Sequence, residues 1–312
     1  MKPKVLVALS TFAEFDDAPI RLLDESGLDY YLNPSGHRLV PEEIIKMGRD
    51  CEGIIAGVEP YDNYVLDHLP KLRCLSRCGA GIDNISLEKA REKGIVIRNT
   101  PDVVVLPVVE LTVAMIFDLL RKLSYHTHLL RLKQWKKKAG NLLFGKKVGI
   151  LGLGKIGRGV AEVLTKLGAD VYGADLFPDY QWANKNAIKI VSNELLLKEC
   201  DIISIHVSIL QNNKFVLGKK EIKSMKQGAF IINVSRGEVV DEGALYEALK
   251  SNRLGGAALD VFQKEPYDGP LCDLENVILT PHIATLTKES RVQMEVEAVR
   301  NLLDFFQSET GK

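Results

Sequence analysis

The sequence predicts an α/β protein made of two doubly wound parallel-sheet domains. Three observations carry that reading. Short β-branched runs alternate with longer amphipathic segments, the alternation falls in two blocks separated by a long helical region from about Asp102 to Lys138, and a glycine-rich turn joins the first strand of the second block to a helix. At 312 residues the chain has room for two domains with a core each.

The first block opens with Met1-Lys2-Pro3-Lys4 and the apolar run Val5 to Leu9. That run is too short for a secretory signal, and Phe15-Asp16-Asp17 follows without a small-residue cleavage site, so it reads as a strand. Strands are expected at Lys4–Leu9, Asp29–Leu32, Gly53–Ala56, Leu72–Ser76 and Ile95–Ile97, with helices such as Pro41–Gly48 and Ser86–Lys93 between them. This strand count suits a flavodoxin-like sheet. The most apolar stretch, Val103 to Phe117, contains Pro107 and Glu110 and is shorter than the roughly 18 residues of a membrane span. A buried helix accounts for it.

The second block has strands at Lys147–Leu151, Asp170–Ala174, Ile202–His206, Phe230–Val234, Gly256–Leu259 and Val277–Thr280, with helices that include Lys155–Leu167 and Glu242–Ser251. That order suits a Rossmann sheet. Val292, Val296, Val299, Leu302, Leu303 and Phe306 recur at near-helical spacing, which predicts an amphipathic closing helix from Lys288 to Gln307. No internal repeat or low-complexity linker interrupts the chain.

Composition excludes several roles. Lys and Arg number 41 against 41 Asp and Glu, so there is no basic excess to hold a nucleic acid, and the cluster Lys133 to Lys138 reads as a solvated helix face. With 46% hydrophobic and 26% charged residues the chain has the make-up of a folded soluble protein, with no membrane partner. Five cysteines, at 51, 74, 78, 200 and 272, form no disulfide framework and fit a reduced, cytoplasmic setting. Cys74 and Cys78 lack neighbouring histidines, so no metal is expected.

The turn Gly152-Leu153-Gly154-Lys155-Ile156-Gly157 follows the strand Val148-Gly149-Ile150-Leu151 and opens a helix. The first glycine permits the tight turn, the second lets a pyrophosphate approach the backbone, and the third lets helix and strand close up. Asp175 ends the next strand, 18 residues beyond Gly157, where a carboxylate accepts from ribose hydroxyls and repels a 2′-phosphate. No arginine follows in Leu176-Phe177-Pro178, so NAD(H) is favoured over NADP(H). Gly140 to Lys146 has the spacing of a P-loop, but Lys147 replaces its Ser or Thr and a strand follows where a helix is needed.

Three polar stretches stand at carboxyl ends of second-block strands, the edge where open α/β sheets bind ligands. They are Asn233-Val234-Ser235-Arg236-Gly237-Glu238, Leu259-Asp260-Val261-Phe262-Gln263-Lys264-Glu265-Pro266 and Thr280-Pro281-His282-Ile283-Ala284. With Gly79-Ala80-Gly81-Ile82-Asp83-Asn84-Ile85, Asn99-Thr100-Pro101, Glu110-Leu111-Thr112 and Val240-Asp241-Glu242-Gly243-Ala244-Leu245, they make the chain resemble the D-2-hydroxyacid dehydrogenase family over nearly its whole length.

The resemblance implies hydride transfer between NAD(H) and a D-2-hydroxy acid or its 2-oxo acid, and it assigns roles. Arg236 would hold the substrate carboxylate in a planar fork, and His282 would exchange a proton with the C2 oxygen. Glu265 would orient His282 and favour its imidazolium. Asp260 would sit by the nicotinamide, with His206, Val207, Val234 and Ser235 along the cofactor. The backbone of Cys78, Gly79, Ala80 and Gly81 would meet the substrate carboxylate. On this view residues 1–100 and 284–312 form the substrate domain and residues 101–283 the NAD-binding domain, with a cleft between them that closes about hinges near 98–101 and 283–287. Residues 102–138 would pair two subunits into a homodimer, with Tyr125 and Trp135 as candidate interface aromatics.

Phosphoglycerate dehydrogenases are the branch it looks most like, through Ser76 to Ile85 and Asn99 to Val103, but three stretches depart from that pattern. Ile55-Ala56-Gly57-Val58-Glu59-Pro60 lacks the arginine expected for a phosphate, leaving Arg77 or Arg98 as alternative anchors. His206-Val207-Ser208-Ile209-Leu210 and Ala284-Thr285-Leu286-Thr287 replace the usual His-x-Pro-Leu-Thr and Ala-Gly-x-Thr. The expected substrate is therefore a small 2-oxo acid, with 3-phosphoglycerate, hydroxypyruvate and glyoxylate chemistry all open. A corepressor that senses NAD(H) on the same fold is the rival from another class. Formate oxidation is disfavoured because formate dehydrogenases carry glutamine where Glu265 stands.

Overall fold

A computed structural model describes residues 2–207 and 216–310. The chain divides into two units, Met1–Val104 with Thr285–Lys312, and Val105–Ala284. From sequence the divisions fall at 100/101 and 283/284. The small displacements follow from packing, because Val103 and Val104 lie in the apolar cluster of the first unit and Ala284 in that of the second. Ser208, Ile209 and Leu210 lie outside the described residues.

The first unit runs β1 (Lys4–Val7), α1 (Ala18–Glu25), β2 (Asp29–Leu32), α2 (Pro41–Gly48), β3 (Gly53–Ala56), α3 (Asn63–Asp67), β4 (Cys74–Arg77), α4 (Leu87–Glu92) and β5 (Val96–Asn99). Its strands are parallel in the order β2-β1-β3-β4-β5, the flavodoxin-like order. Every residue of β3 is buried, which is why Gly-Ile-Ile-Ala reads as an unbroken apolar run without alternation. One face is covered by α2, α3 and the cluster around Leu6, Ile54 and Leu75. The other is covered by α12 (Lys288–Thr310), whose Met294, Val299, Leu302 and Phe306 pack on Val5, Val7 and Ile55. The Ser76 hydroxyl donates to the Ala298 carbonyl at 2.8 Å and pins that helix to β4.

The second unit begins with α5 (Val105–Arg121) and α6 (Leu123–Arg131). The helical region therefore ends seven residues before Lys138. Lys122 (φ 55°) divides it, with the Asp118 carboxylate accepting from Ser124 N at 2.8 Å, and Lys133 (φ 59°) closes it as its N–H turns back to Leu130 O. The basic cluster 133–138 is solvated, as expected, but it is not helical.

There follow β6 (Lys147–Leu151), α7 (Lys155–Lys166), β7 (Asp170–Ala174), α8 (Tyr180–Lys185), β8 (Lys189–Ile190), α9 (Asn193–Glu199), β9 (Ile202–Ile205), α10 (Lys219–Ser224), β10 (Phe230–Asn233), α11 (Glu242–Lys250), β11 (Gly256–Leu259) and β12 (Val277–Leu279). All pair in parallel, in the order β12-β11-β10-β9-β6-β7-β8. This is the Rossmann order with one strand added beyond β11. The edge strand β8 was not expected from sequence, since two residues carry no periodicity. Helix α5 packs on α7 closely enough that a Cβ at Gly159 would fall 2.8 Å from Val109. No described helix is long and apolar enough to cross a membrane.

Candidate active site

The glycine turn between β6 and α7 has a separate reason at each glycine. Gly152 takes φ +91°, and a Cβ there would fall 2.4 Å from the His206 carbonyl. At Gly157 a Cβ would fall 1.9 Å from the Gly152 carbonyl, so helix and strand could not close. A Cβ on Gly154 would meet nothing within 4 Å, because it points into open space. Gly154 is also the N-cap of α7, whose first N–H groups have no intrahelical partner, so this open side presents donors and a positive helix end to an anion. Lys155 stands exposed in that first turn, and Ile156 is half-buried against the core.

At the end of β7 the half-buried Asp175 accepts from Leu153 N at 2.6 Å and from Phe177 N at 2.9 Å. These contacts hold the carboxylate against the glycine turn and leave further lone pairs for a ribose diol. Cradle and carboxylate together fit a dinucleotide.

His206, after β9, donates its N–H to Leu151 O at 2.7 Å, and its Nε2 lies 2.7 Å from the Ser204 hydroxyl. Burial pushes its imidazole down to about 3, so it stays neutral where a metabolic enzyme works. Its contacts with Leu151 and Ser204 support the turn. Val207 lies beside it, and its Cγ1 would sit 3.1 Å from a Cβ on Gly152.

The edge beyond β10, β11 and β12 is knitted by two buried side chains. Asn233 donates from Nδ2 to Arg236 O at 2.8 Å and accepts from Ser235 N at 3.1 Å and Ser235 Oγ at 2.9 Å. That turn sets the direction of Arg236, whose Nη1 also donates to Ser235 O at 2.7 Å. Val234 is buried in the core and offers only backbone. Gly237 is pressed against the next strand's loop, where a Cβ would fall 1.9 Å from the Phe262 carbonyl carbon.

Asp260 is fully buried. One carboxylate oxygen accepts from Thr280 Oγ1 at 2.5 Å and Ile283 N at 2.8 Å, and the other accepts from Ala284 N at 2.8 Å. The side chain expected beside the nicotinamide thus also ties down the 280–284 turn. Within the turn His282 has φ 55°, a left-handed conformation that costs a residue with a side chain on the order of 1 kcal/mol. The bonds to Asp260 hold it there.

His282 Nδ1 lies 2.9 Å from Glu265 Oε2, and Glu265 Oε1 accepts from Phe262 N at 3.1 Å. The carboxylate fixes one ring nitrogen and leaves Nε2 directed away from it. Both side chains are partly exposed, 47% for His282 and 38% for Glu265, as a pair that meets a ligand must be. Loop 235–237 rests on Phe262, which anchors Glu265, so Arg236, Glu265 and His282 share one edge of one sheet.

In the first unit the loop Cys78-Gly79-Ala80-Gly81 follows β4. Cys78 N donates to Ala56 O at 2.8 Å, and Gly79 exchanges hydrogen bonds with Thr100 through its N–H (2.8 Å) and its carbonyl (3.1 Å). Gly79 N–H is therefore committed to the protein. The N–H groups of Ala80 and Gly81 face no intramolecular acceptor among the described residues and are the donors left for a ligand. Burial pushes the Cys78 thiol up to about 12, so its contribution to the loop is its backbone. Asn233 and the tying role of Asp260 escaped sequence reasoning. An amide directly after an apolar strand at a carboxyl edge is the signal that could have found the first.

Residues 113–284 match the family model of the D-isomer specific 2-hydroxyacid dehydrogenase, NAD binding domain. The D-3-phosphoglycerate dehydrogenase of Methanocaldococcus jannaschii is 36% identical over 260 residues, covering 81% of this chain and 49% of that protein. The chain thus spans about half the length of that relative. The glyoxylate reductase of Korarchaeum cryptofilum is 31% identical over 321 aligned residues, covering 99% of this chain and 94% of that one. The crystal structure of the TT0316 protein from Thermus thermophilus superposes with a TM-score of 0.89 at 32% identity, covering 98% and 97% of the two chains. By these matches the chain belongs to the D-isomer specific 2-hydroxyacid dehydrogenase family, and residues 113–284 lie in its NAD-binding domain.

Proposed function

We propose that the protein interconverts a small D-2-hydroxy acid and its 2-oxo acid with NAD(H). The observation that carries this is the 2.9 Å pair between Glu265 and His282, on the sheet edge that also holds Arg236 and the glycine cradle. Bound NAD(H) supplies or accepts the hydride at nicotinamide C4. Arg236 grips the carboxylate and carbonyl oxygens in its fork and so fixes C2. His282, held through Nδ1, delivers a proton from Nε2 to the C2 oxygen on reduction and removes it on oxidation. Glu265 keeps the ring oriented and offsets its positive charge.

NADH oxidation scanned over glyoxylate, pyruvate, hydroxypyruvate and phosphohydroxypyruvate tests the proposal. Turnover of at least one is expected. Intact NADH binding with turnover of none would sink it and leave a cofactor sensor.

Cofactor choice rests on Asp175. Asp175→Ala should weaken NADH about tenfold, the loss of roughly 1.4 kcal/mol, and narrow the preference over NADPH, as read by fluorescence titration. An unchanged preference would remove Asp175 from the ribose site.

A homodimer is proposed through the segment that follows α5. Leu123, Leu130, Leu132, Leu142 and Phe144 are exposed there and Trp135 is 81% exposed, a density of apolar surface that marks an interface. Tyr125 is half-buried, with Lys138 Nζ 5.1 Å above its ring, so Trp135 is the stronger anchor. Leu132→Asp with Trp135→Asp should convert a dimer to a monomer in sedimentation at micromolar concentration. A wild type already monomeric there would refute the dimer. A cytoplasmic setting is proposed from Cys51, Cys74, Cys78 and Cys200, all buried as free thiols, with Cys272 exposed.

A further inference from the structure

The turn that carries Glu265 is strapped to the segment that follows Arg236, through two residues the mechanism above does not use. Gln263 N donates to Glu242 Oε1 at 2.6 Å, and Gln263 Nε2 donates to Val240 O at 2.7 Å. One residue, two positions before Glu265, is thus held at two points by residues 240–242.

The two ends of this strap are fixed differently. Residues 236–242 have ties that do not depend on it. Asn233 Nδ2 donates to Arg236 O at 2.8 Å, Val240 N to Gly237 O at 3.2 Å, and Asp241 N to Leu217 O at 3.0 Å. Asp241 caps α11 by accepting from Ala244 N at 2.9 Å, so the helix starts without help from the Glu242 side chain. In the Glu265 turn, by contrast, Phe262 N donates to Glu265 Oε1 at 3.1 Å and the Phe262 ring stacks on Tyr267, with centroids 4.3 Å apart. These contacts fold residues 262–267 upon themselves, and the strap joins that fold to residues 240–242. Burial raises the Glu242 carboxyl above its usual range, opposed by the Gln263 N–H, and Glu238 adds like charge. Tyr267 also feels the Glu242 charge. A half-buried carboxylate beside another carboxylate is offset here by the charge-assisted bond it accepts from the Gln263 N–H.

We propose that Glu242 and Gln263 are positioning residues that hold Glu265 against His282. They act through Glu265. Because residues 236–242 keep their own bonds, releasing the strap shifts the 262–266 turn and lengthens the 2.9 Å contact between Glu265 and His282, while Arg236 keeps its direction. The catalytic consequence rests on the proposed function, whereas the contact itself is read without turnover.

Histidine ring titration by NMR, on the full chain with isotope-labelled histidine, reads that contact. The His282 signal is identified by its loss in His282→Ala. Glu265→Gln should lower the His282 midpoint by at least about half a pH unit, since a nearby carboxylate favours imidazolium. Glu242→Leu should lower it by a comparable amount, and Glu242→Gln, which keeps an acceptor for the Gln263 N–H, should stay near wild type. With a 2-oxo acid that wild type reduces, Glu242→Leu should lower kcat at least about fivefold at about pH 8 with KM within about twofold, and kcat should begin to fall at a lower pH. A folded Glu242→Leu with the wild-type midpoint, even if less stable, or a Glu265→Gln that leaves the midpoint unmoved, overturns the proposal. A Glu242→Gln midpoint as low as that of Glu242→Leu would assign the effect to charge alone and overturn it too. If Glu242→Leu does not fold, Gln263→Leu, a change at an exposed side chain, decides by the same midpoint. Failure of the wild type to reduce any 2-oxo acid would strike the proposed function alone, and the midpoints would still judge the strap.

Discussion

His282→Ala should lower kcat for 2-oxo acid reduction by about two to four orders of magnitude, the usual contribution of a positioned acid or base. NADH affinity should stay within about twofold, because His282 lies on the 280–284 turn and the dinucleotide cradle on the turn between β6 and α7. Stopped-flow reduction with fluorescence titration separates the two quantities. The alanine also removes a side chain from a left-handed backbone position without removing the Asp260 contacts to Thr280, Ile283 and Ala284, so the turn should survive. Arg236→Ala should give a comparable loss in kcat/KM with a larger share in KM, since it removes the carboxylate clamp. Turnover within tenfold of wild type in both variants would remove the site assignment. Glu265→Gln keeps a hydrogen-bond acceptor beside Nδ1 without the charge, so it should fall between wild type and His282→Ala and shift the pH dependence of kcat.

Asp260→Ala should have the largest combined effect on stability and turnover. The buried carboxylate accepts from three donors, and its removal leaves the Thr280 hydroxyl and the N–H groups of Ile283 and Ala284 without their acceptor. An orphaned buried donor costs about 1–3 kcal/mol, and because the three share one site the total should be about 3–5 kcal/mol. Urea unfolding of the second unit's signal would show it as a lower midpoint with an unchanged slope. The turn that loses these bonds carries His282, so kcat should fall by at least tenfold. Asp260→Asn, which keeps one acceptor oxygen, should recover part of both losses. A destabilised variant with full turnover when folded would show that the turn keeps its shape without Asp260.

Much of this was legible in the residues. The apolar runs of β3, β9 and β10 are buried on both faces, and such runs declare a parallel strand regardless of context. The glycines at 152 and 157 were legible because each answers a local steric demand, and Gly154 because it caps the helix that follows a strand. The two-residue strand β8 was not, nor was the end of α6 at Arg131, because the breaks at Lys122 and Lys133 use residues with no turn preference.

The sequence alone determined the two sheets and the glycine turn with Asp175, since these depend on periodicity and local sterics, while Arg236, Glu265 and His282 were singled out by the family resemblance of the stretches that carry them. Only the tertiary structure decided what those residues touch. It showed Asp260 bonding the turn that carries His282, committed Gly79 N–H to Thr100, and buried the Glu59 carboxylate against Gly57 N–H. Partners of a buried polar group come from strands distant in sequence. Their hydrogen bonds exist only once β10, β11 and β12, or β3 and β4, have aligned their carboxyl ends.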